Sequence, residues 1–313
     1  MTQVVCKIAQ VAASRRSTCA QTRTLLPSCS VTPAPGTRLA HRYLLGHALG
    51  HGGQAHVVQA TDLRLHRPVA VKLFPLDSAS PDQIRRYAQE ARVLAGLSHP
   101  ALVALLDVGS DVLEDGSSVA FLVMELVSGP TLRDVLRDGP LGPAVTADVG
   151  RQLALALAHA HGAGVLHRDV KPANVLVAEP RPGGATHGPE LPVVLADFGI
   201  AVPSERSHSE DSAATAGYQS PEQALGRPLT AATDVYSLGL VLTECLTGER
   251  AYPGDPIASG LARLLRAPDV PTRFGRDWER LLRGMTELEP VNRPPITAVA
   301  AELRALRFAP AAG

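Results

Sequence analysis

The spacing of apolar residues changes once along the chain, and this change limits the fold more than any other feature. From Arg42 to about residue 125 the apolar residues form short runs separated by turn residues, such as RYLLGHAL, HVVQATD and RPVAVKLF, which is typical of β-strands. One stretch there, residues 80–99, has helical spacing, with Ser80 as the cap and Pro81 in the first turn. Beyond about residue 130 helical spacing dominates. Strands followed by helices predict an α+β fold.

The two ends of the chain lack this periodicity. Residues 1–40 are rich in Ala, Ser, Thr, Arg and Pro, and we expect a disordered tail there. Residues 41–308 are predicted to be one domain with two parts, about 41–125 and about 128–308, followed by a short tail at 309–313. The Pro- and Gly-rich stretch 178–192 predicts a loop.

Composition argues against several classes of partner and location. The formal net charge is +0 and the pI is about 7.2, so neither nucleic acid nor an anionic membrane is expected as the main partner. The four cysteines show no CxxC spacing, which argues against a zinc site or a disulfide framework and favours the reducing cytoplasm. No stretch approaches the roughly 20 apolar residues that a membrane span needs. Arg15 and Arg16 precede no apolar region, so no secretory or twin-arginine signal is expected.

The segment LGHGGQAHVV, residues 49–58, lies between two strand-like runs. Gly50 and Gly52 lack a Cβ, so the backbone could pass close to phosphate groups. A hairpin turn is the simpler alternative. The segment is neither a Rossmann turn, since a strand follows it, nor a P-loop, since GK[ST] is absent. The run VAVK, which ends at Lys72, completes the arrangement that a kinase-type nucleotide site needs.

Lysine is rare in this chain. Of 30 basic residues only Lys7, Lys72 and Lys171 are lysines, and the last two lie in apolar stretches. Lysine provides a compact point charge, whereas arginine provides a planar fork. The two lysines are therefore candidates for chemistry that arginine cannot perform, although chance retention is the alternative.

Two further segments carry residues suited to phosphate chemistry. In HRDVKPAN, residues 167–174, Asp169 and Asn174 are five residues apart, and Pro172 predicts a loop. In VVLADFG, residues 193–199, an apolar strand is expected to end in Asp197, and a carboxylate at such a strand tip is typical of a metal ligand. Phosphoryl transfer needs a positioned hydroxyl, metal ions and neutralised charge, which these residue types can supply.

Taken in order, these motifs resemble the eukaryotic-like serine/threonine protein kinases of bacteria, from about residue 43 to 308. The resemblance implies a two-lobed fold, with a small β-rich N-lobe that contains one key helix and a larger helical C-lobe. It implies transfer of the γ-phosphate of ATP to Ser and Thr hydroxyls of proteins, with Mg²⁺ or Mn²⁺ as cofactor. It also implies a transient dimer of kinase domains during autophosphorylation.

The resemblance assigns roles to individual residues. Asp169 would orient the substrate hydroxyl, Lys171 would lie beside the γ-phosphate, and Thr215 would contact both. Asn174 and Asp197 would bind magnesium, and Lys72 would pair with the phosphates and with Glu90. The residues implied in ATP binding are Leu49, Gly50, Gly52, Gly53, Val57, Ala70, Lys72, Glu90, Met124, Glu125, Val127 and Leu176.

Other residues would support or regulate this site. The resemblance implies that His161 holds Asp234 and that Glu222 forms a buried ion pair with Arg293. Residues 202–224 match the activation segment, and the implied phosphorylation sites are Ser204, Ser207, Ser209 and Ser212. A plain flexible loop is the alternative for this segment. The chain departs from the family pattern at Ala55, in place of the third loop glycine, and at Ala216, in place of a proline.

Two other functions are open to a chain of this pattern. It could be a pseudokinase that binds nucleotide or protein, but Lys72, Glu90, Asp169, Asn174 and Asp197 are all present. It could be a small-molecule phosphotransferase with a kinase-like fold, but such enzymes usually lack the lysine of HRDVKPAN and the SPE segment at residues 220–222.

Overall fold

The computed structural model describes residues 34–52, 55–77, 79–179, 191–198, 217–254, 256–270 and 272–308. These residues form two compact units. The first unit comprises the chain up to Gly96 together with Ala104–Leu126, and the second comprises Leu97–Val103 together with the chain from Val127 onward.

The first unit is built on a six-stranded antiparallel sheet with the strand order β1-β2-β3-β4-β6-β5. Its elements are β1 (Arg38–Leu39), β2 (Tyr43–Gly52), β3 (Ala55–Asp62), β4 (Arg67–Pro75), α1 (Pro81–Gly96), β5 (Leu105–Val112) and β6 (Ser118–Glu125). Side chains alternate between the two faces of each strand. One face carries a buried apolar cluster that includes Tyr43, Val58, Val71 and Phe121.

The sheet begins before residue 40, where the sequence predicts the end of the tail. Arg38 and Leu39 pair with β2, and the amide of Leu45 donates to the carbonyl of Thr37 over 2.9 Å. Leu39 is fully buried in the apolar cluster. A two-residue strand is too short to show the alternation from which strands are predicted. Residues 1–33 and 309–313 lie outside the described part of the chain.

Helix α1 begins where the sequence predicts. The amide of Gln83 donates to Ser80 Oγ over 3.2 Å, and the amide of Ser80 donates to Gln83 Oε1 over 2.7 Å, which forms a capping box. On the helix, the ring of Tyr87 lies 4.4 Å from the ring of Phe74 on β4, measured between centroids. This contact fixes one face of the helix against the sheet.

The second unit is mainly helical. Its elements are α2 (Leu132–Arg137), α3 (Pro143–Gly162), β7 (Val175–Val177), β8 (Val193–Leu195), α4 (Pro221–Ala224), α5 (Ala231–Thr247), α6 (Pro256–Leu265), α7 (Arg276–Met285) and α8 (Ile296–Arg307). Helix α5 is buried from Thr233 to Leu246, and it packs against α3 and α7. The approach is close at Gly150 and Gly239, where an added Cβ would lie within 3.0 Å of a neighbouring side chain. The predicted α+β class is confirmed.

Two details of the second unit differ from what the sequence predicts. The strand expected to run to Asp197 ends at Leu195, and it pairs with β7 as a short hairpin rather than extending to the carboxylate. The segment Leu97–Val103 also belongs to this unit, because Leu195 donates to the carbonyl of Ala101 and accepts from the amide of Val103. Both features depend on partners distant in sequence, which local apolar spacing does not encode. Within the described residues, no helix combines the length and apolar character needed to span a bilayer.

Candidate active site

Several of the predicted ATP-binding residues share one face of the sheet in the first unit. In the strand register Val57 lies opposite Lys72, and Ala70 lies opposite Met124. Residues two apart on a strand point to the same face, so all four side chains lie on the face opposite the apolar cluster. Regular sheet pairing therefore brings together residues that are up to 67 positions apart in the chain.

The glycine segment forms the end of the β2–β3 hairpin. Gly50 pairs with Val57 and Gly52 pairs with Ala55, while the tip at residues 53–54, including the predicted Gly53, lies outside the described residues. The register shifts twice between Leu45 and Gly50. Such irregularities redirect a strand locally. Leu49, at 46% exposure, lies in this irregular part.

Lys72 occupies the centre of β4 and is partly buried. Its Nζ lies 5.5 Å from the centroid of the Phe74 ring, the ring that also contacts Tyr87 of α1. Glu90 follows Tyr87 by three residues in the same helix, and the side chain of Glu90 lies outside the described part. The pairing of Lys72 with Glu90 therefore stays a prediction.

In the second unit, the loop that carries Asp169 is attached to a buried carboxylate. Asp234, on α5, is fully buried and accepts the amides of His167 over 2.9 Å and Arg168 over 2.8 Å. His161 Nε2 lies 2.8 Å from the same carboxylate, which is the contact expected of His161. The loop includes Arg168 in the left-handed region, with φ of 69°. An L-residue there is strained, and the two hydrogen bonds to Asp234 hold it in place.

The ring of His167 also organises this loop. Nδ1 accepts the amide of Asp169 over 3.3 Å, and Nε2 lies 3.1 Å from the carbonyl of Ala196. Because Nδ1 accepts, the proton belongs on Nε2, which donates to that carbonyl. Burial lowers the pKa of His167, although the charges of Asp234 and Asp169 oppose the shift. A neutral imidazole thus links the loop that carries Asp169 to the segment that precedes Asp197.

Asp169 lies at the centre of the candidate catalytic group. Its Oδ2 accepts from Lys171 Nζ and from Asn174 Nδ2, each over 2.9 Å. Asn174 Nδ2 also donates to the Asp169 carbonyl over 2.8 Å. Both described contacts of the carboxylate use Oδ2, so Oδ1 is the oxygen available to a substrate hydroxyl.

Asn174 and Asp197 meet the chemical requirements of a magnesium site. The amide of Ala196 donates to the carbonyl of Asn174 over 2.9 Å, which places the two segments side by side. The hydrogen bonds described for the Asn174 side chain use Nδ2, so Oδ1 can coordinate a cation. An amide oxygen and a carboxylate suit Mg²⁺, which takes few protein ligands and retains water and phosphate oxygens. Asp197 has a φ of 58°, so its backbone is held in an unusual conformation at this position.

The structure gives the backbone positions of three more predicted ATP-binding residues, Glu125, Val127 and Leu176. Glu125 ends β6, where its amide donates to the carbonyl of Ala104 over 2.9 Å. Val127 begins the second stretch of the second unit, and Leu176 lies in β7, bridged to Thr131. Gly129 passes so close to β7 that an added Cβ would lie 2.0 Å from the carbonyl oxygen of Val177, which excludes larger residues there.

The pair Glu222 and Arg293 is buried and fully hydrogen-bonded. Arg293 Nη1 and Nη2 donate to the two carboxylate oxygens over 2.7 and 2.9 Å, and Thr233 Oγ1 adds a third donor. The remaining Arg293 donors are bonded to the carbonyls of Ala232, Glu287 and Leu288. Burial opposes ionisation of Glu222, but the hydrogen bonds from Arg293, Thr233 and a backbone amide, together with the charge of Arg293, outweigh it and lower the pKa.

One functional contact was missed from the sequence. Gln223 Nε2 donates to the carbonyl of Arg168 over 2.7 Å, so helix α4 is tied directly to the catalytic loop. The capping box between Ser220 and Gln223 holds that side of the helix in place. The spacing of Ser220 and Gln223 predicts a cap, but the long-range contact leaves no local signal.

The remaining predicted residues lie outside the described part of the chain. Residues 199–216 are not described, and this range contains Thr215, Ala216 and the four candidate phosphorylation sites, Ser204, Ser207, Ser209 and Ser212.

Comparison with known proteins agrees with this arrangement. The sequence matches the protein kinase domain family over residues 43–303. It is 41% identical over 247 residues to serine/threonine-protein kinase PknB of Mycolicibacterium smegmatis, covering 76% of this chain and 38% of that protein. It is 39% identical over 281 residues to PknB of Mycobacterium tuberculosis, covering 86% and 43% of the two chains.

A probable serine/threonine-protein kinase of Streptomyces coelicolor is 40% identical over 245 residues, covering 76% of this chain and 35% of that protein. The chain thus spans about two fifths of the length of these relatives. The family match includes the β2–β3 hairpin, Lys72, the Asp169 loop and Asp197. The chain belongs to the protein kinase family and, within it, is similar to the bacterial serine/threonine kinases.

Proposed function

We propose that this chain is a protein kinase that transfers the γ-phosphate of ATP to serine and threonine hydroxyls of proteins. The observation that carries the proposal is the contact of Asp169 with both Lys171 and Asn174 through a single carboxylate oxygen. This geometry leaves a second oxygen for the acceptor hydroxyl and places an ammonium group beside it. A pseudokinase would not require either feature.

In the proposed reaction the acceptor oxygen attacks the γ-phosphorus, the bond from that phosphorus to the β–γ bridging oxygen breaks, and ADP leaves. Asp169 Oδ1 orients the hydroxyl and takes its proton, while Lys171 neutralises charge on the transferred group. Asn174 and Asp197 would hold Mg²⁺ or Mn²⁺, which neutralises phosphate charge when bound. Lys72 would bind the α- and β-phosphates, with Glu90 as its carboxylate partner. Met124 would guard the back pocket, and Glu125 and Val127 would offer backbone groups to the adenine.

Regulation and location belong to the same proposal. Phosphorylation of Ser204, Ser207, Ser209 or Ser212 would supply a dianion for Arg168, whose backbone amide is bound by Asp234. Transfer between two copies of the domain would require a transient dimer, so the initial rate of autophosphorylation should rise faster than in proportion to protein concentration.

The expected location is the cytoplasm, where ATP is available.

Radiolabelled ATP with purified protein tests the function. Wild type with Mg²⁺ or Mn²⁺ should label itself or a generic protein acceptor on Ser or Thr. Asp169→Asn, Lys72→Arg and Asp197→Ala should each lower transfer about 100-fold or more, because each removes a group that acts on the reacting phosphate. Losses in combined variants should be smaller than the product of the single losses, since the groups act as a unit.

Asp115→Asn is the matched control, because Asp115 is exposed and contacts only Ser117 among the described residues. It should transfer phosphate as wild type does. Wild-type activity in Asp169→Asn, or no labelling by wild type under any of these conditions, would reject the kinase function and favour a binding role.

A further inference from the structure

A basic pocket opens beside the catalytic loop, entirely within the second unit. It is a shallow depression open to solvent, and its described lining residues are Arg133, Lys171, Pro172, Ala173, Tyr218 and Arg250. Lys171 bonds to Asp169, so the pocket lies immediately beside the group proposed to orient the acceptor hydroxyl. The proposed reaction gives a role to Lys171 but none to Arg133 or Arg250.

The side chains of the two arginines are exposed, but the backbone that carries each of them is held by a helix end. Arg133 lies on α2, whose first turn is fixed by a capping box between Thr131 and Asp134. Arg250 follows α5 just after Gly248, which ends that helix with a φ of 77°. The guanidinium groups therefore stay near the pocket while remaining accessible to a ligand.

The charges around the pocket do not cancel. None of the described lining residues is acidic. Two carboxylates contact the lining: Asp169 pairs with Lys171, and Glu244, which is 9% exposed, accepts from the hydroxyl of Tyr218. Burial raises the pKa of Glu244, and the Tyr218 hydrogen bond and the charge of Arg250 partly offset that rise. Among the described residues, Glu244 acts on both Arg133 and Arg250, while Asp134 beside Arg133 pairs with Arg137. The described carboxylates therefore do not balance both arginine charges.

We propose that Arg133 and Arg250 bind an acidic side chain of the protein substrate, close to the serine or threonine that accepts the phosphate. Arginine pairs with carboxylates through two parallel hydrogen bonds, which gives direction as well as attraction. The inference rests on the proposed kinase function and adds the substrate class: Ser- or Thr-containing segments with neighbouring Asp or Glu. Arg133 and Arg250 are thereby specificity residues rather than catalytic ones.

The chain itself contains a segment of this chemistry. In SHSEDSAAT, residues 207–215, two acidic residues separate Ser209 from Ser212. The segment lies outside the described residues. It supplies a natural test peptide.

Peptide kinetics test the proposal. Three peptides would be compared: SHSEDSAAT, the same peptide with both acids replaced by alanine, and the same peptide with both replaced by arginine. The proteins would be wild type, Arg133→Glu, Arg250→Gln and the double variant. Arg280→Glu is the control, since Arg280 is exposed on α7 and lies outside the pocket.

Wild type should have its lowest KM for the acidic peptide. Each single variant should raise that KM about fivefold, the value of one well-placed ion pair, with kcat nearly unchanged. Arg133→Glu should also lower the KM for the arginine peptide. The alanine peptide should be treated alike by all five proteins, a result that a merely structural role for the arginines would not give.

Equal kcat/KM of wild type for the three peptides, with normal transfer to a generic acceptor, would overturn the pocket assignment and leave the kinase function intact. Equal losses on all three peptides in the variants would also overturn it, because they would indicate damage to the fold. A wild type that phosphorylates no acceptor at all would instead overturn the kinase function, and the pocket assignment with it.

Discussion

The two lysines of the kinase domain reach their positions by different means. Lys72 lies in the middle of β4, which pairs with β3 on one side and β6 on the other, so backbone hydrogen bonds on both flanks fix its position. Lys171 lies in a loop with extended backbone, and its neighbours are held by side chains: Asp234 binds two loop amides, and Asn174 binds Asp169.

This difference decides what a substitution does. A sheet register survives the loss of one side chain, because its hydrogen bonds are made by the backbone. A loop held by buried side chains has no such redundancy, and an unpaired buried donor costs free energy. Changes around Lys72 should therefore remove chemistry and spare the fold, whereas changes beneath Lys171 should damage both.

Asp234→Ala should give the largest combined effect. It leaves the amides of His167 and Arg168 without their acceptor, at about 1–3 kcal/mol for each buried unsatisfied donor. Displacement of Asp169 by even 1 Å can cost about 100-fold in rate. We expect the free energy of unfolding to fall by roughly 2–6 kcal/mol, measured by urea titration, together with at least a 100-fold loss of phosphate transfer.

Lys72→Met is the matched comparison in the sheet. It should abolish transfer to a similar extent, while the free energy of unfolding changes by less than about 1 kcal/mol, since β4 keeps its backbone pairing. If the two variants had the same urea midpoint, the contrast between strand and loop would be wrong.

The Glu222–Arg293 pair is a second place where buried side chains hold the structure. Glu222 lies on α4, the helix whose Gln223 bonds to the loop that carries Asp169. Arg293→Ala leaves a buried carboxylate with only Thr233 as a described side-chain partner, and it should cost about 3–5 kcal/mol in thermal or urea unfolding. The double change Glu222→Leu with Arg293→Met should cost less than Arg293→Ala alone, because no buried charge remains. A single variant as stable as wild type would mean that the charge finds another partner.

The sequence predicts the elements that depend on local patterns better than the contacts that depend on distant residues. The runs around Val58, Val71 and Val123 and the capped helix that begins at Pro81 are local patterns, and they predict the sheet and α1 correctly. The strand pairing of Leu39 and the contact from Gln223 to Arg168 are not predictable in this way, because each depends on a partner distant in sequence. The motifs of the resemblance name Asp169, Asn174 and Asp197, but the hydrogen bonds through Asp169 Oδ2 and Asn174 Nδ2 are visible only in the structure.

The short strand β1 gives a smaller test within the first unit. A chain that begins at residue 34 should be more stable than one that begins at residue 41, because the longer form retains the buried Leu39 and its pairing with β2. Burial of one leucine is worth about 1.5–3 kcal/mol. Urea midpoints of the two forms would measure the difference. Equal midpoints would show that β1 adds nothing and would restore the predicted boundary at residue 40.

The smallest expected effect is a pH dependence of the free energy of unfolding that arises from His167, in the loop that carries Asp169. Burial lowers the pKa of His167 below the ordinary value of 6.5, with Asp234, Asp169 and Asp197 opposing the shift. Between the two pKa values, His167 is protonated in the unfolded chain and neutral in the folded chain. The free energy of unfolding must therefore fall as the pH drops below about 6.5, by at most about 1.4 kcal/mol per pH unit. His167→Asn removes this titration while other histidines, including His99, continue to titrate. The loss of unfolding free energy between pH 7.5 and pH 5.5 should be larger in wild type than in His167→Asn. The same loss in both proteins would show that folding does not lower the pKa of His167, and the argument that burial keeps this imidazole neutral would have to be abandoned.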